Sequence, residues 1–270
     1  MESIQKILNS YKNKKNPTIG AFYQCYKQHK ALINVLRHFR KIYPTSTVVM
    51  VSNNGDNMEN IARFFNCHYT HSLHSNSSHS VYFSDEEGVK LYVKRIYEAA
   101  QKIEEDYILL LADDVHVLKS ITNLKYDLNG GEGYWRGRLK NRWENFFAKN
   151  KTAYSKYDDM RAFGDGFIMR KKFILENFKN IDEPLKKFIP IIKNKYNNLL
   201  PSDVCINTLT VYYGGSVGPY WGWYERTRLF YWPRRILNNI QVSHQEKSFY
   251  NKTLSKEEQK ILMGNNDLVK

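Results

Sequence analysis

The feature that most constrains this fold is the repeated alternation of short apolar runs with amphipathic helices through residues 17–117. "TIGAFYQCYK" (18–27) reads as a first strand. "HKALINVLRHFRKIYP" (29–44) sets Leu32, Val35, Leu36 and Phe39 at helical spacing and is stopped by Pro44. "STVVMVSNNGDN" (46–57) is a second buried strand that runs into a polar turn, and "NMENIARFFN" (57–66) is a second helix with Ile61, Phe64 and Phe65 inward. "CHYTHS" (67–72) is a short third strand, "EGVKLYVKRIYEAAQKIEED" (87–106) a strong helix, and "DYILLLADDVHV" (106–117) a further buried strand. Strands separated by helices in this way predict an α/β architecture, a doubly wound and mostly parallel sheet. Ligands of such sheets sit beyond the carboxyl ends of the strands. Asn53–Asp56 and Asp113–Asp114 both fall at such ends, so they are predicted to share one rim.

The last of these strands poses a chemical problem. Its apolar run, Tyr107 to Ala112, drives straight into two adjacent carboxylates, Asp113 and Asp114. Two negative charges at a strand end need hydrogen bonds, a cation, or both. Taken alone, the pair could also cap the turn that follows.

Beyond residue 118 the alternation dissolves into glycine- and aromatic-rich stretches: "GGEGYWRGRLKNRW" (130–143), "MRAFGDGFIMRKKF" (160–173) and "VYYGGSVGPYWGWYERTR" (211–228). "PSDVCINTLTVYYGG" (201–215) reads as a helix opened by Pro201 and Ser202 and closed by Gly214. "LSKEEQKILMG" (254–264) has a capping box at Ser255 and Glu258 and reads as a surface helix. The organisation expected is an N-terminal helix in 1–16 and a nucleotide-binding half at 17–117. An aromatic-rich acceptor and catalytic half at 118–245 and a helical tail at 246–270 complete what is one domain overall.

Three scattered cysteines with no C-x-x-C argue against a disulfide framework or a zinc knuckle and for a reducing compartment. No apolar stretch approaches the roughly 20 residues of a membrane span, and the first residues do not read as a secretory signal. A soluble cytoplasmic protein is expected. The net charge of +14 asks for an acidic partner, and its basic residues are able to touch an anionic membrane; an AT-rich coding sequence would give the same composition. A basic nucleic-acid-binding module is the alternative from another class, but no recognisable binding motif supports it, and no nucleic acid partner is expected. His71, His74 and His79 lack the spacing of a zinc site and read as loop residues.

Five segments, in order, resemble the GT-A fold glycosyltransferases. "VVMVSNNGDNMENIARFFN" is similar to that fold's second strand and helix. "YILLLADDVHV" is similar to the strand ending in its D-x-D motif, in the form of an acidic pair followed by Val. "GDGFIMRKKF" resembles the later strand beside the acceptor, "SDVCINTL" the helix start that carries an acidic pair, with Ser202 where an acid is usual, and "VSH" (242–244) the late strand whose histidine completes a metal shell.

The resemblance implies a metal-dependent transfer of a hexose from a nucleotide sugar, a UDP-sugar, to a hydroxyl of a glycan or protein. It makes Asp114 and His244 ligands of Mn2+ or Mg2+, with His116 a rival, and sends Asp113 to the ribose or a bound water. Hard cations want carboxylate oxygens, and Mn2+ also tolerates an imidazole. Arg95 resembles the helix cation that approaches the nucleotide. Asn53 and Asp56 could hydrogen-bond the base or ribose, with Gln24 beside them at the end of the first strand. Asp203, in a helix's first turn where the macrodipole favours a carboxylate, is the candidate general base. Asp165 is expected to contact donor or acceptor sugar; a strand bend is the other reading of its Gly-Asp-Gly setting. Trp135, Trp221, Trp223 and Tyr224 are expected to stack on the acceptor, although core packing would use the same residues. Ser202 in place of an acid also leaves open an inactive scaffold of the same fold.

Overall fold

A computed structural model describes residues 16–79, 82–131, 163–220, 222–225, 240–244 and 247–263. The helix expected in 2–12 and the aromatic positions Trp135 and Trp221 lie outside these residues.

Strand β1 (Ile19–Cys25) leads into helix α1 (His29–Ile42), which ends at Tyr43 because a residue before proline avoids the helical region. Strand β2 (Val48–Asn53), helix α2 (Glu59–Phe64) and strand β3 (His68–Ser72) follow. Two short strands, β4 (Ser77–His79) and β5 (Tyr82–Phe83), stand where the sequence predicts only a polar stretch. Helix α3 (Glu86–Lys102) is capped by Asp85, whose carboxylate accepts the Gly88 N–H at 2.8 Å. It ends four residues earlier than its periodicity suggests. Ile103 turns extended to bury its side chain, and Glu105 accepts the Thr47 N–H at 2.7 Å, so the chain is already attached to the sheet.

Strand β6 (Tyr107–Leu111) carries the quoted apolar run, followed by β7 (His116–Val117) and β8 (Leu128–Gly131). Strand β9 (Phe163–Arg170) runs into α4 (Lys171–Asn177), and α5 (Asp182–Lys195) leads to β10 (Leu200–Pro201) and α6 (Ser202–Tyr212). The chain closes with β11 (Val217–Pro219), β12 (Trp223–Glu225), β13 (Val242–His244), a 3-10 turn (Lys247–Tyr250) and α7 (Lys256–Met263).

Seven strands form the central sheet in the order β11-β8-β9-β6-β1-β2-β3. The β6-β1-β2-β3 half is parallel throughout, while β9 runs antiparallel to both β6 and β8. Strand alternation divides the core in two. Phe22, Val49, Val51, Ile108 and Leu110 pack towards α3, α5 and α6. Ala21, Tyr23, Met50, Leu109 and Leu111 pack towards α1 and α2, together with Phe249 and Leu254 from the C-terminal segment. Each large apolar side chain buried in this way contributes about 1.5–3 kcal/mol. The three cysteines are free thiols, and no helix among the described residues is long and apolar enough to cross a membrane.

Helix α7 is more firmly seated than a surface helix. The capping box forms as read, with Ser255 N–H donating to Glu258 at 2.7 Å and Glu258 N–H to Ser255 Oγ at 3.2 Å. Glu258 is also buried, and takes a two-pronged contact from Arg37 of α1, Nε to Oε1 at 2.6 Å and Nη2 to Oε2. Burial alone would raise the carboxyl's pKa, but Arg37 and Ser255 together hold it below the ordinary glutamate value. A folded-state pKa below the unfolded one gives stability above the unfolded pKa, lost as pH falls through the folded pKa. Glu258→Gln is therefore expected to lower Tm at neutral pH, with the gap to the wild-type protein closing under acid. Melting curves of both proteins from pH 7 downward test this; a constant gap would refute it.

Candidate functional site

The carboxyl ends of β1, β2, β3 and β6 form one rim, because these strands are parallel neighbours. Both segments predicted to share a rim lie there.

On the side of the sheet facing α1, fully buried Tyr23 reaches along the rim, and its hydroxyl donates to Asp113 Oδ1 at 2.6 Å. Burial, then the Asp113 charge, hold the phenol well above its ordinary pKa, so it stays a donor. Tyr23 was not predicted from the sequence. The signal for it was period-two alternation, which puts residue 23 on the face that the Asp pair leans over.

Asp113 and Asp114 are the two central residues of the turn closed by Val115 N–H to Ala112 O (3.1 Å). The chain then enters β7, which pairs antiparallel with β13 in the register Ser243 to His116 and Val242 to Val117. That pairing brings His244 back to Asp114 across 130 positions (244 − 114), with Nε2 3.4 Å from Oδ1. Both residues are buried, Asp114 at 6% and His244 at 8% exposure. His116 turns elsewhere: its ring stands edge-on to His38 at 4.2 Å and lies 5.0 Å from Phe249.

The donor set fits a hard divalent cation: one carboxylate oxygen and one imidazole nitrogen, close enough to share an ion. Among the described residues no group of three or more His, Cys, Asp or Glu converges. A cation held here would take its remaining ligands from water or from a substrate's oxygens, as Mg2+ habitually does.

On the opposite side of the sheet, Arg95 of α3 organises the rim. It is 4% exposed. One terminal nitrogen, Nη1, donates to Gln24 Oε1 and Asn53 Oδ1, both at 2.8 Å; Nη2 donates to Ser72 Oγ at 2.8 Å and to the His74 carbonyl at 2.7 Å. Gln24 and Asn76 exchange a reciprocal amide pair at 3.0 and 2.8 Å, and the Asn76 N–H donates to Asn53 Oδ1 at 3.0 Å. Burial lowers the guanidinium's pKa. Ser72 and Asn76 were not predicted, and no spacing in the sequence marks them.

Asp56 sits in a loop folded over Tyr26. Its N–H donates to the Tyr26 carbonyl at 3.0 Å, and its Oδ2 lies 3.5 Å from His29 Nε2 at the start of α1. Gly55 is required there, since a Cβ would come within 2.0 Å of the Tyr26 oxygen. Desolvation pushes the His29 pKa down.

Asp203 occupies the first turn of α6, with Oδ1 accepting the Val204 N–H at 2.8 Å. Asp165 lies on β9 just before Gly166, which has φ +88° and so bends the strand where only glycine is comfortable. Trp223 and Tyr224 lie on β12, in parallel register with Val242 and Ser243, which places them in the same three-stranded sheet as His244.

A mostly parallel sheet with an acidic strand end, a late histidine strand folded against it and an antiparallel extension defines the GT-A fold, and the chain has that fold. Among solved structures it is similar to galactosyltransferase LgtC in complex with donor and acceptor sugar analogs, with a TM-score of 0.52 and 14% sequence identity over 90% of this chain and 100% of that one. An active-site mutant of LgtC matches with the same TM-score, identity and coverage. No protein-family model matches the sequence, and no curated protein matches it.

Proposed function

We propose that the protein is a metal-dependent glycosyltransferase that moves a hexose from a UDP-sugar to a hydroxyl of a glycan or protein acceptor. The observation that carries this reading is the buried Asp114–His244 pair, assembled at the carboxyl rim from segments 130 residues apart (244 − 114). Burying these two groups at a ligand-binding edge carries a desolvation cost that a shared cation would offset.

Asp114 and His244 would hold Mn2+ or Mg2+, which when bound acts as a Lewis acid on the leaving diphosphate. Asp113, fixed by Tyr23, would accept a hydrogen bond from the ribose or from a bound water. Gln24, Asn53 and Asp56 line the nucleoside end of the rim. In the transfer, the bond from the sugar's anomeric carbon to the diphosphate breaks and one to the acceptor oxygen forms. Asp203 is assigned the hydroxyl's proton, a role that requires an inverted anomeric product. Asp165, Trp223 and Tyr224 are assigned to the sugars, and the family resemblance assigns Trp135 and Trp221 to the acceptor.

Incubating the protein with Mn2+ and a panel of nucleotide sugars, without acceptor, is expected to release UDP from one donor through slow hydrolysis. No release from any donor, with the protein folded, would refute the activity and leave the inactive scaffold.

A further inference from the structure

The Arg95 guanidinium has only donors to offer, and all four of its terminal N–H groups go to neutral oxygens of the chain. Any amide corner facing it must therefore be the oxygen, and the opposite corner must be NH2. The usual two-fold ambiguity of an amide is removed. Gln24 Oε1 accepts from both Arg95 and Asn76 Nδ2; Asn53 Oδ1 accepts from both Arg95 and the Asn76 N–H. Two bonds fill each oxygen's lone pairs. What these two side chains have left is N–H. Gln24 Nε2 spends one hydrogen on Asn76 Oδ1, and Asn53 Nδ2 has no partner among the described residues.

We propose that Arg95 is a positioning residue that sets the polarity of the rim. It turns Gln24 and Asn53 into a donor-only edge, which selects a pyrimidine nucleoside diphosphate presenting a carbonyl there over one presenting an amino group. Uracil offers a carbonyl at the position where cytosine carries its amino group. The inference rests on the donor-binding reading given above, and differs from a guanidinium that touches the diphosphate: Arg95 acts through the amides and contacts no ligand itself.

Asn53→Asp tests it. The substitution keeps the shape and both accepted hydrogen bonds, adds a buried ion pair to Arg95, and removes only the outward donors. UDP and CDP are titrated by calorimetry, with Mn2+ present, into the wild-type protein and the variant, with Tm measured alongside. The wild-type protein is expected to bind UDP about tenfold more tightly than CDP, the weight of one well-made hydrogen bond. The variant is expected to keep its Tm, lose about tenfold in UDP affinity and bind CDP at least as well as UDP. Gln24→Glu should shift the ratio in the same direction, and it serves as the test if Asn53→Asp does not fold. A folded variant with an unchanged UDP-to-CDP ratio overturns the proposal. A wild-type protein that binds both nucleotides equally overturns it too, leaving the donor-binding reading intact; one that binds neither removes both.

Discussion

Asp114→Asn is expected to produce a folded protein that no longer responds to Mn2+ and UDP together. Asparagine matches aspartate in size and can still approach His244, so the buried site at the β6 end remains filled. It loses the charge that would hold a divalent cation. For the wild-type protein, a ligand at a hundredfold excess over its Kd stabilises the fold by about 2.7 kcal/mol. That corresponds to a rise in Tm of several degrees for a chain of this size. The rise should vanish in Asp114→Asn, and turnover should fall by about 10^2–10^3 or more, the scale of losing one electrostatic stabiliser of the leaving group. His244→Ala should do much the same, and the double variant should be little worse than either single one, because the residues act as a unit. A full Mn2+ response in Asp114→Asn would remove the cation from this rim.

Arg95→Leu is expected to cost about 3 kcal/mol or more of stability. Four acceptors lose a donor at once, Gln24 Oε1, Asn53 Oδ1, Ser72 Oγ and the His74 carbonyl, and the first two keep only their bond from Asn76. A hydrogen bond to a charged group contributes about 1.5–3 kcal/mol, and each buried group left unsatisfied costs about 1–3 kcal/mol. Re-entry of water and movement of the 73–76 loop offset part of this, which puts the loss near the low end of the sum. A chain of this size should show a drop in Tm of about 10 °C, at roughly 2–4 °C per kcal/mol. The contrast with Asn53→Asp is informative, since that variant alters ligand preference while holding Tm. If Arg95→Leu melts with the wild-type protein, the guanidinium is not the organiser that its hydrogen bonds describe.

Several parts of this protein were legible in its residues. Short apolar runs marked β1, β2 and β6, and period-3.6 patterns the helices between them, because each pattern records which faces of an element leave water. Pro44, Gly214 and the Ser255–Glu258 box bound their helices through local chemistry that needs no distant partner. The acidic pair stood out because carboxylates at the end of a buried strand must be compensated.

Other parts were decided only when the chain closed on itself. α4 and α5 were hidden among lysines and aromatics, whose burial depends on the sheet beneath them. Helix α7 reads as a surface helix by its polar residues, yet Glu258 is buried because Arg37, 221 positions earlier (258 − 37), meets it there. The pairing of Asp114 with His244 follows from the register of two short strands, and the hydroxyl of Tyr23 meets Asp113 across neighbouring strands. Arg95 looks from its helix like a solvated cation, and only the fold commits its four donors. Local patterns state which side of an element is buried; which side chains then face one another depends on register and crossing, which a single segment does not encode.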